Sequence, residues 1–590
     1  AKDVILNAGR EDAYAQIGHG GAKDAAGNYG LGATNGAVQV INTVGKVSLY
    51  GGTGLNATAQ IGHGGVAMRA IMDGPVTVDA GTGGIELKGG TAERTYTLIG
   101  NGGYNIDNAI SGDVTVNAKG TAVTDGIVMT GGGGGYSGAF IGNGIYENNA
   151  AISGFTEVSV VNGGITMNGG GGQSSKAGIG HTNRTDSNTM TGYVNVDITE
   201  GNLTMNGGNG QYASATIGHE RITGGTATMT GAVDVDVRKG NISVTGGLGQ
   251  YSVAAIGHAG TGGTSTSNGD VTLIAGDGDI TVTGGNSTVG TSFAAARIGH
   301  GVWESGNKTG VIIVTAERGN IVVQGGTATA GNYNYALIGH GGYGNNNTQN
   351  IVNQAINVTA TLGSVTVKGG TTDANFAQIG HGGLGRNSFF LGSFGGDVTV
   401  KAGSAITLTG GNSNNAHALI GNGGSGLRGP VSGTVLVEAG TGGISLSGST
   451  GTNSFAAIGN GGHDIDTAVS GTTTVRALGT NAATDGIRLQ GGTGSQAAAQ
   501  IGHLHIAGSG AASGAVEVTT VAGDINLTGG GSNAHAQIGH GGRDSDGAKS
   551  GTVTVKSARG VSLSGGGTNA FAQIGHGGLV VKAPLSDNVL

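Results

Sequence analysis

A tripeptide, Ile-Gly-His or Ile-Gly-Asn, recurs fifteen times along the 590-residue chain and constrains its fold more than any other feature. Successive copies lie 36 to 44 residues apart. Periods of about 20–50 residues mark solenoids and other repeat architectures. The repeated isoleucines are Ile17, Ile61, Ile99, Ile141, Ile179, Ile217, Ile256, Ile298, Ile338, Ile379, Ile420, Ile458, Ile501, Ile538 and Ile574. The array predicts a single continuous repeat domain over residues 1–590.

Each repeat contains three short runs in which apolar and polar residues alternate. Residues 398–400, 406–411 and 416–421 read Val-Thr-Val, Ile-Thr-Leu-Thr-Gly-Gly and Ala-His-Ala-Leu-Ile-Gly. A period of two is typical of a strand that is buried on one face, and no segment shows a sustained helical period. We therefore predict an all-β chain that forms a right-handed parallel β-helix (β-solenoid). It should have about 15 coils of about 40 residues, with three short strands per coil.

The second run carries the clearest column of core residues. Its first and third positions are large aliphatic residues in fourteen repeats, as in Ile85 and Leu87. Both ends of the sequence fall inside a repeat, because residues 4–9 resemble a second strand and residues 579–583 a first strand. We therefore expect the chain to be a fragment of a longer rod.

Composition excludes several classes of protein. The chain has 132 Gly and no Cys, so disulfide scaffolds and cysteine metal sites are excluded. A net charge of -8 with only 27 Lys and Arg argues against a nucleic-acid partner. No run of apolar residues is long enough for a membrane-spanning helix. The sequence therefore predicts neither nucleic-acid binding nor a membrane span.

The residue two places after each repeated isoleucine is always His or Asn. Both side chains offer one donor and one acceptor on a short planar group, which favours a structural ladder bonded to a Gly-rich turn or to the next coil. Two alternatives remain, a transition-metal site, for which Asn is a poor ligand, and a pH-sensitive column. The ladder positions are His19, His63, Asn101, Asn143, His181, His219, His258, His300, His340, His381, Asn422, Asn460, His503, His540 and His576.

A second column of rings stands three residues before the repeated isoleucines. By parity with those isoleucines, the rings should face outward, where they either stack on sugar rings or pack against each other between coils. The column comprises Tyr14, Tyr96, Tyr335, Phe376, His417, Phe455, His535 and Phe571.

Two loops add further aromatic residues. Residues 384–396 carry Phe389, Phe390 and Phe394, and another loop carries Trp303, the only Trp. Exposed apolar clusters often mark contacts, so these side chains are candidate ligand contacts. The alternative is that the loops fold their rings back onto the solenoid.

Acidic residues are too dispersed to predict a catalytic site. Polysaccharide lyases and hydrolases with a β-helix fold need clustered carboxylates, or carboxylates beside basic residues. Here 35 Asp and Glu are spread over the chain, and Asp107 and Asp466 are single acids in matching loops. The sequence therefore predicts no enzyme, no cofactor and no metal, with a polysaccharide-active enzyme as an alternative.

The runs Val-x-Val-x-Ala-Gly, Ile-x-Leu-x-Gly-Gly and Ala-x-Ile-Gly-His-Gly-Gly resemble the repeats of filamentous-haemagglutinin-like exoproteins. The form Gln-Ile-Gly-His-Gly-Gly at 16–21, 60–65, 378–383, 537–542 and 573–578 resembles biofilm-matrix adhesins of this family, many of which use two-partner secretion. The resemblance implies a secreted or cell-surface protein of a Gram-negative bacterium. It implies a structural and adhesive rod whose partner is an exopolysaccharide or another copy of the chain. A passive spacer stalk, with binding domains elsewhere, is the alternative.

Overall fold

The computed structural model describes residues 2–22, 34–121, 126–148, 150–184, 187–222, 224–288, 290, 292–344, 348–385 and 391–590. Throughout these ranges the regular secondary structure is β-strand, and each strand pairs in parallel with the equivalent strand of the next repeat. No helix in the described residues has the length and apolarity to cross a membrane. The fold is the right-handed parallel β-solenoid that the repeat predicts, with about 14 turns.

The chain divides into two compact units. Unit 1 comprises Ala1–Gly278 with Ser292–Gly306, and unit 2 comprises Asp279–Thr291 with Asn307–Leu590. Each unit is built from the same columns of strands, which we call the first to fifth sheets in the order of one repeat.

The first sheet carries the Val-x-Val run, and its residues are alternately buried and partly exposed. In unit 1 its strands are Val38–Ile41, Val76–Ala80, Val114–Ala118, Thr156–Asn162, Val194–Glu200, Val233–Lys239 and Val271–Ala275. In unit 2 they are Ile312–Ala316, Ile356–Ala360, Val398–Ala402, Val435–Ala439, Thr473–Ala477, Val516–Thr520 and Val553–Lys556.

The second sheet carries the Ile-x-Leu run, and its first and third positions are buried as predicted, for example Ile85 and Leu87. In unit 1 its strands are Val4–Asn7, Val47–Tyr50, Ile85–Lys88, Ile127–Thr130, Ile165–Asn168, Leu203–Asn206 and Ile242–Thr245. In unit 2 they are Ile280–Thr283, Ile321–Gln324, Val365–Lys368, Ile406–Thr409, Ile444–Ser447, Ile487–Gln490, Ile525–Thr528 and Val561–Ser564.

The third sheet ends on the repeated isoleucine, and between the two terminal coils all three residues of each strand are buried. In unit 1 its strands are Ala15–Ile17, Ala59–Ile61, Thr97–Ile99, Ala139–Ile141, Ala177–Ile179, Ala215–Ile217, Ala254–Ile256 and Ala296–Ile298. In unit 2 they are Ala336–Ile338, Ala377–Ile379, Ala418–Ile420, Ala456–Ile458, Ala499–Ile501, Ala536–Ile538 and Ala572–Ile574. Burial on both faces means that another layer covers this sheet.

That layer is a fourth sheet, which begins just after the Ile-Gly-His motif. In unit 1 its strands are Gly20–Ala22, Gly64–Val66, Gly102–Ile106, Gly144–Asn148, Thr182–Asn183, Glu220–Arg221, Ala259–Asn268 and Trp303–Ser305. In unit 2 they are Gly341–Gly344, Gly382–Gly385, Gly423–Ser425, Gly461–His463, Leu504–Gly508, Gly541–Ser545 and Gly577–Val581. Leu98 and Phe140 of the third sheet pack against Ile145 and Tyr146 of the fourth.

Short strands of a fifth sheet lead back to the first. In unit 1 they are Ile152–Ser153, Ser187–Thr191 and Thr226–Thr230, and the last of these pairs with the second half of Ala259–Asn268. In unit 2 they are Lys308–Thr309, Phe394–Gly395, Val431–Ser432, Val469–Ser470, Ala512–Ser513 and Lys549–Ser550. The prediction of three strands per coil is therefore wrong, because many coils have four or five. Most strands of the fourth sheet begin with glycine, and most strands of the fifth sheet are only two residues long, too short to show alternation in the sequence.

Candidate functional site

The His and Asn ladder lies where the third sheet turns into the fourth, and it bonds each coil to the next. The backbone N–H of each ladder residue donates to Nδ1 of the next His or to Oδ1 of the next Asn, at 2.9 to 3.3 Å. In unit 1 the bonds run without a break from His19 to His300. In unit 2 they run from His340 to His576.

The donor nitrogen of the ladder side chain, which is Nε2 in His and Nδ2 in Asn, bonds to a carbonyl oxygen of the same coil. Nε2 of His63 donates to the carbonyl oxygen of Gly36 at 2.8 Å, and Nδ2 of Asn101 donates to that of Gly74 at 2.8 Å. Each of these carbonyls lies two residues before a strand of the first sheet. In unit 2, Nε2 of His381 reaches the carbonyl oxygen of Gln354 at 2.8 Å in the same way. The ladder therefore connects the turn before the first sheet to the turn after the third.

These bonds fix the protonation state of the histidines. Because a backbone N–H points at Nδ1, that nitrogen must accept, so Nε2 carries the proton and donates to the carbonyl. Adjacent rings are stacked, with centroids 4.5 Å apart for His181 and His219 and 4.3 Å apart for His503 and His540. A second proton on a ring would break the inter-coil bond, and protonation of two neighbouring rings would place two cations in contact, so the column requires neutral imidazole.

Burial also favours the neutral form of these rings. It lowers the pKa of His181, His258, His381 and His503 to about 4, because the charged form loses its hydration. Burial, followed by the charges of neighbouring histidines, holds the pKa of His219 well below its ordinary value. These five rings are therefore neutral at physiological pH.

Asparagine makes the same connections as histidine. Asn422 donates its backbone N–H to Oδ1 of Asn460 at 3.0 Å, and its Nδ2 donates to the carbonyl oxygens of Gly396 at 2.7 Å and Ser432 at 2.8 Å. Both polar ends of the side chain are used, as they are in the histidine coils. Since both ring nitrogens of His63 and His381 are also in hydrogen bonds, a metal ion could bind either ring only by displacing a hydrogen bond. In the part of the chain that the structure describes, no group of three or more His, Cys, Asp or Glu is placed to hold a metal ion.

The glycine before each ladder residue is required by the close stacking of coils. Gly62 has a φ of +140°, and a Cβ at this position would lie 2.0 Å from the carbonyl oxygen of Gly100 in the next coil. A side chain there would separate the coils and break the ladder, so the Ile-Gly-His/Asn motif is one structural unit.

Glutamine side chains support the ladder in several coils, a role that was not predicted. Nε2 of Gln60 lies within hydrogen-bond distance of the carbonyl oxygens of His63, Gly100 and Gly102, at 3.0, 3.1 and 3.2 Å. Gln378, Gln500 and Gln537 make the equivalent contacts. The recurrence of Gln directly before Ile-Gly-His-Gly-Gly is the sequence signal that could have indicated this role.

The ring column does not face solvent, so the expectation that it points outward is wrong for most of its members. Tyr96, Tyr335, Phe376 and Phe455 are fully buried beneath the fourth sheet. In unit 2 the rings of Tyr335 and Phe376 stack at 4.8 Å, and His417 stacks between Phe376 and Phe455 at 5.0 and 4.7 Å. Their faces are occupied by each other, which leaves no surface for a sugar ring.

The remaining aromatic candidates differ in their exposure to solvent. In the terminal coils, Tyr14 is 49% exposed and Phe571 is partly buried. Phe394 is fully buried in a cluster with Ile351, Leu427, Val431, Ile465 and Val469, so this ring folds back onto the solenoid. Phe389 and Phe390, and the side chain of Trp303, lie outside the described residues.

Buried charges in unit 1 were not predicted. Lys176 Nζ lies 2.5 Å from Oε1 of Glu220, which also accepts from Oγ of Ser214 at 2.7 Å. Arg221, the next residue, reaches Glu304 at 3.3 Å, and both side chains are inaccessible. The Lys176–Glu220 pair lies between the third and fourth sheets, in a layer that was not predicted, and the Arg221–Glu304 pair joins two strands of the fourth sheet.

The two matching acids are engaged in surface ion pairs. Asp107 contacts Arg69 at 3.2 Å, and Asp466 contacts Arg428 at 3.2 Å.

Compared with protein-family models, with curated proteins and with solved structures, the chain gives no match.

Proposed function

We propose that this chain is a stalk segment of a large secreted or cell-surface adhesin of a Gram-negative bacterium. The observation that carries the proposal is the ladder, which joins each coil to the next by the same backbone-to-side-chain bond. In unit 2 it runs through seven successive coils. Because the strand pairing and the ladder bonds of each coil reach only its neighbours, such a segment lengthens by adding coils.

The adhesive part of the proposal rests on the sequence resemblance. Repeats of this style occur in filamentous-haemagglutinin-like exoproteins, which support attachment in a biofilm matrix or at a cell surface. The partner we propose is an exopolysaccharide, with self-association as the second possibility. A stalk held by bonds along its backbone suits this role, because it transmits tension from coil to coil.

Duplication of coils tests the stalk. Repeating residues 380–574 inserts five coils into unit 2, each with an intact ladder position. Small-angle scattering should show a maximum dimension about 24 Å longer at constant cross-section, since neighbouring strands lie about 4.8 Å apart. A particle that thickens at unchanged length would contradict the proposal.

Glycan binding separates the adhesive stalk from the passive spacer. The chain is immobilised and exposed to neutral and acidic polysaccharides, with dissociation followed in real time. Retention of one class supports adhesion through this segment. Absence of retention for every polysaccharide and for the chain itself supports the spacer.

A further inference from the structure

A cavity of about 250 Å³ opens on the outer side of the second sheet in unit 2. Its floor is formed by Ser445, Arg488 and Asn526, which stand side by side at the second position of three paired strands. Its wall is formed by residues 482–484 of a connection between the first and second sheets. At about 30 Å³ per molecule, this volume corresponds to about eight waters, enough for one sugar ring.

The wall exists because this connection is longer than its neighbours. Residues 478–486 link the strands Thr473–Ala477 and Ile487–Gln490, whereas residues 440–443 and 521–524 make the same link in the adjacent coils. The five additional residues extend over the face of the second sheet. A repeat of 43 residues between Ile458 and Ile501 is the corresponding signal in the sequence.

The long connection is held in place by one carboxylate. Asp485 is 1% exposed; its Oδ1 accepts from the backbone N–H of Gly442 and from Oγ1 of Thr484, and its Oδ2 accepts from the N–H of Asn481, each at 2.7 Å. From the other side, Nη1 of Arg559 donates to the carbonyl oxygen of Ala482 at 3.3 Å. The wall is therefore anchored to the coil before it and to a residue two coils later.

The polar groups on the floor are available to a ligand. Among the described residues, the side chains of Ser445, Arg488 and Asn526 make no hydrogen bond or ion pair. Asp524, which also lines the cavity, uses Oδ1 to accept from the N–H of Gly560 at 3.0 Å. A guanidinium, a carboxamide, a hydroxyl and a carboxylate therefore converge on one ring-sized space.

We propose that this cavity binds a uronate residue of an acidic polysaccharide. The planar guanidinium of Arg488 matches a carboxylate through two parallel hydrogen bonds. Asn526, Ser445 and the second oxygen of Asp524 supply the donors and acceptors that pair with ring hydroxyls. The inference rests on the proposed function only in that the ligand is a polysaccharide.

Calorimetric titration with trigalacturonate tests the site, with maltotriose as the neutral comparison and tricarballylate as a carboxylate that lacks a sugar ring. Arg488→Gln removes the guanidinium. A second variant replaces residues 478–486 by Gly-Thr-Gly-Gly, the connection that residues 440–443 already use, so the coil keeps a native link. Lys368→Gln is the matched control, because it removes one exposed cation from the same sheet away from the wall.

We expect trigalacturonate to bind the unmodified chain and the Lys368→Gln variant equally. Both cavity variants should weaken it by about tenfold or more, the loss of about 1.4 kcal/mol. Maltotriose and tricarballylate should each bind about tenfold more weakly than trigalacturonate. No binding at about 10 mM trigalacturonate, equal binding of either comparison ligand, or equal effects of the two point variants would overturn the site. None of these results bears on whether added coils lengthen the chain, so failure of the cavity and failure of the stalk are distinguishable.

Discussion

Acid should weaken the ladder at its histidines and spare it at its asparagines. His381 offers the sharpest test, because its Nδ1 accepts from the N–H of His340 while the next two positions are Asn422 and Asn460. Replacing His381 by Asn preserves an acceptor and a donor and removes the titrating ring. The reverse change, Asn422→His, introduces one.

The magnitude follows from the pKa of His381, which burial lowers to about 4. An exposed His titrates at about 6.5, so the open coil binds the proton more tightly than the closed coil. The stabilisation is therefore complete above pH 6.5 and is lost as the pH falls toward 4. Between pH 7 and pH 5 this linkage removes about 2 kcal/mol from the free energy that keeps the coil closed, which is about a twentyfold loss of protection.

Hydrogen-exchange mass spectrometry with residue-level fragmentation measures this protection at single amides. After correction for intrinsic exchange rates, protection of the His340 amide should fall about twentyfold from pH 7 to pH 5 in the unmodified chain. In the His381→Asn variant the fall should disappear. The Asn422→His variant should make the amide of His381 acid-sensitive, since that amide would now donate to a ring.

The Asn422 amide is an internal control, because it donates to the carboxamide of Asn460. A twentyfold acid-induced loss of protection at His340 that survives in the His381→Asn variant would refute the ladder reasoning. So would a His381→Asn variant that is already unprotected at pH 7, because imidazole itself would then be required.

Other substitutions separate the contributions to stability, and each is followed as the midpoint of urea unfolding by circular dichroism. His381→Leu leaves the N–H of His340 without its acceptor and should cost about 1–3 kcal/mol at pH 7, well above His381→Asn; equal costs would contradict this. His417→Phe should raise the midpoint, because both nitrogens of this buried ring lack hydrogen-bond partners and its column neighbours are phenylalanines; a lower midpoint would show that the ring nitrogens matter. Glu220→Ala should cost about 3–5 kcal/mol by leaving the buried Lys176 ammonium without its carboxylate, and an unchanged midpoint would show that water reaches the pair. EDTA should leave the midpoint of the unmodified chain unchanged, since the ladder nitrogens are already bonded.

Alternation of apolar residues was sufficient to predict the first three sheets. Ile406 and Leu408 of the second sheet are fully buried, and a period of two can place them only on the same side of a strand. The exchange of His for Asn likewise indicated a position where hydrogen-bond geometry, and not imidazole chemistry, is constant. In both cases the type of side chain indicates where the residue lies in the fold.

The fourth sheet could not be predicted, because its sequence carries no such information. The strand Gly382–Gly385 reads Gly-Gly-Leu-Gly, and glycine offers neither an apolar side nor a polar side to alternate. Without that sheet, parity alone placed Phe376 outward, toward solvent. Parity was correct about the side of the strand and wrong about what lies beyond it, since the chain folds back and buries the ring.

The same layering limits where a coil can vary its chemistry. Between the two terminal coils, the third sheet is buried on both faces, and the glycine of each Ile-Gly-His/Asn motif has no room for a side chain. What stays accessible includes the outer face of the first and second sheets and any connection between them that grows in length. The connection 478–486 is such a place, since it adds a wall while the strands on either side keep their register with neighbouring coils. A solenoid of this kind therefore acquires a binding site by lengthening one turn and leaving its ladder intact, which is why the cavity at Arg488 is the position to test first.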